Sequence, residues 1–161
     1  GLIAKARVGG ESRGYVYATQ GVLLGDREHA PTTVDALRTA AANGSEVVFT
    51  VVPAFTQYRA GVERDGDGWF DADETDHGAN PANASSQPTS FCRADYDGND
   101  VLDSSDADAF RAAHAAGHPR ANWNWSLATN GLPSVDAADL AAFEAAYAEG
   151  CGQTVFGNGF E

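Results

Sequence analysis

The chain has 161 residues, 43% of them hydrophobic, and a formal net charge of −13 at pH 7. This length suits one medium domain or two small ones, and the apolar content argues against a wholly disordered chain. The negative charge argues against binding to nucleic acid or to an anionic membrane surface, and no stretch is apolar enough over enough residues to span a bilayer. Because the chain lacks Met and begins at Gly1, we expect a processed product or a fragment.

Residues 1–60 are expected to form a small β-rich module with one helix. Apolar runs bounded by glycine predict three short strands, at residues 2–8, 14–18 and 21–24. The pattern of residues 32–41 predicts a helix that begins at a threonine cap and ends at an Asn-Gly pair. Residues 46–52 have the strongest strand pattern of the chain, and Pro53 ends it.

Residues 63–74, called loop I below, have the spacing of a twelve-residue calcium loop of the EF-hand type. The ligands at positions 1, 3, 5, 7, 9 and 12 would be Glu63, Asp65, Asp67, the carbonyl of Trp69, Asp71 and Glu74. Position 6 is Gly68, and glycine accepts the positive φ that this turn needs. Carboxylates this close repel one another without a cation, so we expect Ca²⁺ here; the alternative is a solvated acidic turn.

Residues 61–90 are therefore expected to form a calcium loop followed by an exposed linker. The run Asp65-Gly66-Asp67-Gly68, the pair Asp73-Glu74 and the turn Gly78-Ala79-Asn80-Pro81 stand here in series. In this order they resemble the aspartate-rich repeats of thrombospondin type 3 and their bacterial relatives. The resemblance implies a calcium loop that lacks the long flanking helices of an EF-hand.

Residues 95–106, called loop II below, fit the same twelve-residue pattern. The ligands would be Asp95, Asp97, Asn99, the carbonyl of Val101, Asp103 through a water molecule, and Asp106. Position 6 is Asp100, and Asp is among the few residues other than glycine that accept positive φ. A helix is predicted directly after the loop, over residues 105–116.

The acidic pattern of loop II recurs in part 33 residues later, where Asp136 and Asp139 again precede a helix. This repeat of loop-helix units resembles the dockerin fold, in which two calcium loop-helix units pair in antiparallel fashion. The resemblance covers residues 91–152 and implies an all-α domain. In residues 128–139, Ala128 and Leu132 stand at ligand positions 1 and 5, so we expect little or no calcium binding there.

Cys92 and Cys151 flank the dockerin-like unit. Since the resemblance implies that the ends of the unit lie close together, we expect a disulfide that stabilises by about 4 kcal/mol in the chain-entropy model. Two buried free thiols are the alternative. A disulfide together with calcium loops favours a secreted, extracellular or cell-surface protein.

Motifs for haem attachment, zinc binding, phosphate binding and a serine nucleophile are all missing from the sequence. We therefore expect no enzymatic activity and no small-molecule substrate. Trp123 and Trp125 could bind a sugar ring or a partner, but we interpret them as core residues. Residues 153–161 form a short tail that resembles the endings of some secreted bacterial proteins. Residues 5–17 and 46–52 resemble the C-terminal region of large bacterial surface proteins that carry cytochrome c domains.

The predicted fold class is α+β. It comprises a β-rich module with one helix (1–60), a calcium-loop linker (61–90), an all-α dockerin-like pair of loop-helix units (91–152) and a tail (153–161). The predicted function is that of a non-catalytic calcium-binding structural or assembly module, part of a larger secreted or surface protein or filament, whose partners are other protein chains or domains. The alternative is a docking module that binds a cohesin-like partner through residues 104–105 and 137–138.

Overall fold

A computed structural model describes residues 1–28 and 30–151 of the chain, and so leaves out the tail at 153–161. The strands are β1 Leu2–Val8, β2 Glu11–Thr19, β3 Val22–Gly25, β4 Thr32–Thr33 and β5 Val47–Val51. The helices are α1 Val34–Ala42, α2 Gln57–Gly61, α3 Asp71–Asp76, α4 Ser104–Ala115 and α5 Ala137–Glu149, with a 3-10 turn at Pro119–Ala121. Within these ranges no helix has the length and apolarity that crossing a bilayer requires.

The five strands form one antiparallel sheet in the order β4-β3-β2-β1-β5. The first three predicted strands and the strand before Pro53 are confirmed as β1, β2, β3 and β5. Helix α1 begins where the threonine cap predicts, since Thr33 Oγ1 accepts a hydrogen bond from Ala36 N at 3.1 Å. Sequence alternation and capping therefore account for the outline of the sheet region.

Each face of the sheet buries its own apolar cluster. On one face Leu37 of α1 packs against β-strand residues that include Tyr15 and Leu23. On the other face the cluster contains Ile3 and Val16 of the sheet together with side chains from outside it, namely Tyr58, Val62, Phe70 and Trp125. Loop I lies between Val62 and Phe70, so the second face of the sheet holds the base of the loop.

A close approach between α2 and β2 fixes this arrangement. A Cβ atom at Gly14 would stand only 1.9 Å from the carbonyl oxygen of Gly61, the last residue of α2, so only glycine fits there. Lys5 Nζ donates to the same carbonyl at 2.7 Å. The end of α2, and with it the start of loop I, therefore rests directly on the sheet.

Helices α4 and α5 share a third apolar cluster, in which the rings of Phe110 and Phe143 stack with centroids 3.9 Å apart. Both helices begin with a capping box, formed at Asp103 in α4 and at Asp136 in α5. The predicted disulfide is present between Cys92 and Cys151, with Cα atoms 4.8 Å apart. It joins the chain before loop II to the end of α5.

The fold-class prediction is wrong in separating a β-rich module from an all-α dockerin-like pair. The molecule is a small α+β protein with a five-stranded sheet, and the segment expected to be all-α contains an antiparallel bridge between Leu127 and Pro133. Trp125 lies in the sheet core, and Leu127 packs against that core. The connection between α4 and α5 is apolar enough to bury its side chains against the sheet, so the two helices do not stand apart as an independent pair.

Arg93 links the two halves of the chain through buried contacts. Its Nε donates to Glu28 Oε1 and Oε2, both at 2.7 Å, and its Nη2 donates to Trp123 O at 2.8 Å. The guanidinium carbon lies 3.9 Å from the ring centroid of Trp123 and 4.4 Å from that of Trp125. The core interpretation of both tryptophans is confirmed, because they are buried around this arginine.

Candidate metal sites

Loop I is closed at its base by the sheet core. Val62 and Phe70 are both buried there, and Asp71 N donates to Val62 O at 2.9 Å, which joins the two ends of the loop. The side chain of Glu63 follows Val62 into the interior, where it is only 1% exposed. The apolar anchors on either side thus position acidic side chains that water would otherwise solvate.

Three carboxylates of loop I share one arrangement of hydrogen bonds. Glu63 Oε1 accepts from Asp65 N and Gly66 N at 3.0 and 2.6 Å. Asp65 Oδ1 accepts from Asp67 N at 3.3 Å, and Asp67 Oδ1 accepts from Trp69 N at 2.9 Å. In each side chain the other oxygen is buried without a hydrogen-bond partner. These three residues can each offer a ligand atom within 4.8 Å of the others.

Glu74, at position 12 of loop I, adds two more buried oxygens. The residue is 0% exposed, and neither Oε1 nor Oε2 has a hydrogen-bond partner. Burial, with repulsion from Asp67 and Asp65, raises the pKa of Glu74 to about 8. Burial also raises the pKa of Glu63 to about 7, although the Gly66 N–H opposes the shift. Such a group of unpartnered carboxylate oxygens is costly to bury unless a cation or protons neutralise it.

The other two predicted ligands of loop I differ in their roles. Asp71, at position 9, accepts from Arg64 N, Nε and Nη2 at 2.9–3.0 Å, so an arginine already neutralises it. Trp69 buries its ring against Phe91, with centroids 5.6 Å apart. Of the six predicted positions, the structure thus brings together the carboxylates at 1, 3 and 5 and buries the one at 12.

Loop II also brings its main carboxylates together. Asp95, Asp97 and Asp106 can each offer an oxygen within 4.8 Å of the others, and Asp100 has the positive φ, 65°, that position 6 requires. Here, however, backbone N–H groups reach every oxygen of Asp95 and Asp106. The remaining predicted ligands accept hydrogen bonds as well, Asn99 from Val101 N and Asp103 from Ser105 N.

A third loop with the same hydrogen-bond pattern precedes α5. Asp139 Oδ1 accepts from Asn124 N at 3.0 Å and Oδ2 accepts from Asp136 N at 2.8 Å. Asp106 accepts the same two hydrogen bonds in loop II, from Asp97 N at position 3 and from Asp103 N at position 9. Ser126 N donates to Asn124 Oδ1 at 2.8 Å. In loop II, Asn99 N at position 5 donates in the same way to Asp97 Oδ1 at position 3. The match makes Asn124 position 3 of a third loop.

This loop, residues 122–139, is called loop III, and it begins at Asn122 rather than at Ala128 as the sequence predicted. It is longer than loop II because residues 127–133 form an insertion around the Leu127–Pro133 bridge. The Asn122 amide Nδ2 donates to Ser126 O at 2.8 Å, whereas its Oδ1 is buried without a hydrogen-bond partner. Loop III has the neutral side chains Asn122, Asn124 and Ser126 at positions 1, 3 and 5, so it offers a cation less negative charge than loop I or loop II does. The spacing Asn122-x-Asn124-x-Ser126 was the sequence signal for its true start.

The residues proposed for docking lie at the starts of α4 and α5. Ser104, Ser105, Ala137 and Ala138 are all exposed. The hydroxyl of Ser105 donates to both Asp97 and Asp103, so part of this surface is tied to loop II. Docking to a cohesin-like partner stays a prediction.

A charged cleft of about 690 Å³ lies between the sheet and α3. Five of the ten Lys and Arg side chains of the chain line it. Arg13, Arg27 and Arg64 each form an ion pair with a carboxylate that lines the same cleft. Because these charges already compensate one another, the cleft does not favour a ligand of either sign.

In comparisons with protein-family models, with curated proteins and with solved structures, no match to this chain is found. The resemblances to thrombospondin type 3 repeats, to dockerins and to cytochrome-bearing surface proteins therefore stay predictions from their motifs. The support for a function comes from the geometry of the loops themselves.

Proposed function

We propose that this chain is a non-catalytic, calcium-binding structural module of a larger extracellular or cell-surface assembly. Loop I is the principal calcium site, with Glu63, Asp65, Asp67 and Glu74 as carboxylate ligands and the carbonyl of Trp69 as a further oxygen.

The observation that carries this proposal is a set of buried carboxylate oxygens that have no partner. They are Glu63 Oε2, Asp65 Oδ2, Asp67 Oδ2 and both oxygens of Glu74. Glu63, Asp65 and Asp67 can each offer an oxygen within 4.8 Å of the others, and Glu74 is not part of that group. With both oxygens of Glu74 and the position 7 carbonyl, loop I would offer six oxygens, which is within the six to eight that calcium takes in proteins. A solvated acidic turn would expose these groups, whereas Glu63 and Glu74 are 1% and 0% exposed.

Calcium in loop I would act as a cross-link between secondary-structure elements. Glu63 follows α2, which rests on the sheet through the Gly14–Gly61 contact, and Glu74 lies within α3. An ion bound to both therefore fixes α3 against the sheet. A ligand that binds only the folded state at a thousand times its Kd stabilises that state by about 4 kcal/mol, a large share of the stability of a domain.

Loop II is proposed as a second calcium site of lower affinity, since N–H groups already donate hydrogen bonds to the carboxylates of Asp95 and Asp106. The extracellular setting is proposed from the need for abundant calcium and from the Cys92–Cys151 disulfide, which persists in oxidising compartments. In this proposal the module assembles with other chains or domains of the same protein or filament.

The test is calorimetric titration of the chelator-stripped protein with calcium, alongside thermal unfolding. We expect Glu74→Gln to weaken the tighter site by about a hundredfold, because the affinity of such loops follows the number of charged ligands. Glu149→Gln is the matched control, since Glu149 is exposed at the end of α5 and should leave affinity unchanged.

Two outcomes would count against the proposal. One is the lack of any calcium-induced rise in the unfolding temperature of the unmodified protein. The other is equal affinity in the Glu74→Gln and Glu149→Gln variants, which would leave the acidic loops without a metal-binding role. A Glu74→Gln variant that loses only one of two sites would place the second ion in loop II.

A further inference from the structure

The edge strand β5 carries three of the six large hydrophobic side chains that are exposed among the described residues. β5 is the last strand of the sheet and pairs only with β1. Val48, Phe49 and Val51 are 60%, 40% and 83% exposed. Residues 47–58 contain no charged side chain, although one fifth of the chain is charged.

The hydrogen-bond pattern shows which backbone groups point outward. Gly1 and Val52 exchange both hydrogen bonds, at 2.8 and 3.0 Å, so they form a hydrogen-bonded pair of the antiparallel ladder. Hydrogen-bonded and non-hydrogen-bonded pairs alternate along such a ladder. The N–H and C=O groups of Val47, Phe49 and Val51 therefore face away from β1, and no described residue pairs with them.

The two edges of the sheet are built differently. At the other edge, β4 has only two residues and runs directly into α1, which protects it. Natural proteins protect exposed edges with short strands, bulges, lysines or prolines. The register between β1 and β5 runs without a bulge from Leu2–Val51 to Ala6–Val47, and β5 contains no Lys or Pro. An unprotected edge of this length is a site for strand addition.

A second copy of the chain fits this edge. In an antiparallel pairing centred on Phe49, Val47 of one copy lies opposite Val51 of the other and Phe49 opposite Phe49, so no charges of like sign meet. The outward groups of these residues then form the hydrogen-bonded pairs. Along the β1–β5 ladder the charged residues are Glu46, which precedes β5, and Lys5 and Arg7 on the partner strand. The edge is therefore not part of the acidic surface that makes two copies repel.

We propose that two copies of this chain associate edge to edge through β5, so that one antiparallel sheet runs through both. Such pairing would be one way for the module to assemble, and in this it rests on the proposed function. The pairing itself does not depend on calcium binding. A contact of one short strand with its apolar neighbours is smaller than a standard interface, so the expected Kd is on the order of 10–100 µM.

The test is sedimentation equilibrium of the calcium-saturated protein between about 1 and 500 µM, a range that spans this Kd. We expect the mean mass to rise from 16.8 kDa towards twice that value. The variant Phe49→Lys/Val51→Lys should remain monomeric because it places lysines on the edge. Ala36→Lys/Ala112→Lys, at exposed positions of α1 and α4, is the charge-matched control and should associate like the unmodified protein.

Hydrogen exchange at the amides of Val47, Phe49 and Val51 gives an independent measurement. These amides should be protected at high protein concentration and exchange rapidly at low concentration. A constant mass of 16.8 kDa, or protection that does not depend on concentration, would overturn the proposal. The second result would mean that the chain covers its own edge. If calcium still binds in either case, the calcium proposal stands and only the edge pairing fails.

Discussion

Replacing Arg93 by methionine tests whether the two halves of the chain form one packed body. Arg93 and Glu28 are 3% and 9% exposed, and the Nε atom of the arginine lies 2.7 Å from both carboxylate oxygens. Methionine keeps most of the apolar contact with the two tryptophans but leaves the buried glutamate without its cation. The substitution therefore measures mainly the cost of an unpaired buried charge, together with the loss of the cation–π contacts and of the hydrogen bond to Trp123 O.

We expect Arg93→Met to lower the free energy of unfolding by about 4 kcal/mol, since breaking a buried ion pair on one side costs about 3–5 kcal/mol. The loss of the stacked guanidinium adds up to about 2 kcal/mol, the contribution of a desolvated cation–π contact, so the total loss lies between about 4 and about 6 kcal/mol. For a domain of this size the unfolding temperature should fall by about 10 °C. Removing both charges in Arg93→Met/Glu28→Gln should recover about half of the loss.

The assay is urea unfolding followed by tryptophan fluorescence and far-ultraviolet circular dichroism, with calcium present. Arg111→Met is the matched control, because Arg111 forms an exposed ion pair with Glu144 and such pairs contribute less than about 1 kcal/mol. A loss below about 1 kcal/mol for Arg93→Met, or two separate transitions in the unmodified protein, would refute the reasoning, because either result would mean that the halves unfold independently.

Three further predictions follow from the disulfide, the acidic loops and loop III. Cys92→Ser/Cys151→Ser should lower the free energy of unfolding by about 4 kcal/mol in urea, since the bridge closes a long loop; an unchanged midpoint would contradict this. The pKa values of Glu63 and Glu74 are raised to about 7 and about 8, so the folded protein without calcium holds protons that the unfolded chain releases near pH 4.3. Its unfolding temperature should therefore fall as the pH rises from about 4.3 through the pKa values of about 7 and about 8. The calcium-bound protein should show a smaller fall, which remains because burial raises the pKa of Asp73, which is not a ligand, to about 8. Asp139→Asn should lower the free energy of unfolding by about 1–3 kcal/mol, equally with and without calcium, because the Asp139 oxygens accept hydrogen bonds from N–H groups rather than bind an ion. If calorimetry shows a loss that depends on calcium, loop III holds a metal.

Local patterns in the sequence were sufficient for four of the five strands and for the clustering of carboxylates in loops I and II, but not for β4, whose residues were expected to begin a helix. Alternating apolar residues and flanking glycines predict β1 and β2, and Thr33 predicts the start of α1, because these signals act over a few residues. The ligand spacing of loop I likewise predicts the clustering of Glu63, Asp65 and Asp67, since a chain that wraps one point presents alternate residues to it.

Long-range contacts explain what the sequence could not show. The buried pair of Arg93 with Glu28 and the packing of Trp125 on Tyr58 and Phe70 join residues that are far apart in the chain, and neither has a local signature. These contacts pack the connection between α4 and α5 on the sheet core, so the all-α pair expected there is wrong. The start of loop III was missed for a different reason, because neutral Asn122 stands where the search for metal ligands required an acid.

The disulfide also determines how the chain would carry a mechanical load. Tension applied outside Cys92 and Cys151 passes directly through the sulfur atoms, so α4, α5 and loops II and III bear none of it. The shielded segment spans 59 residues, which corresponds to about 200 Å of extended chain. Reduction of the bond would place this segment in the load path and let the chain lengthen once those elements unfold. For a module placed within a stretched surface protein, the redox state of its surroundings would set its maximum extension.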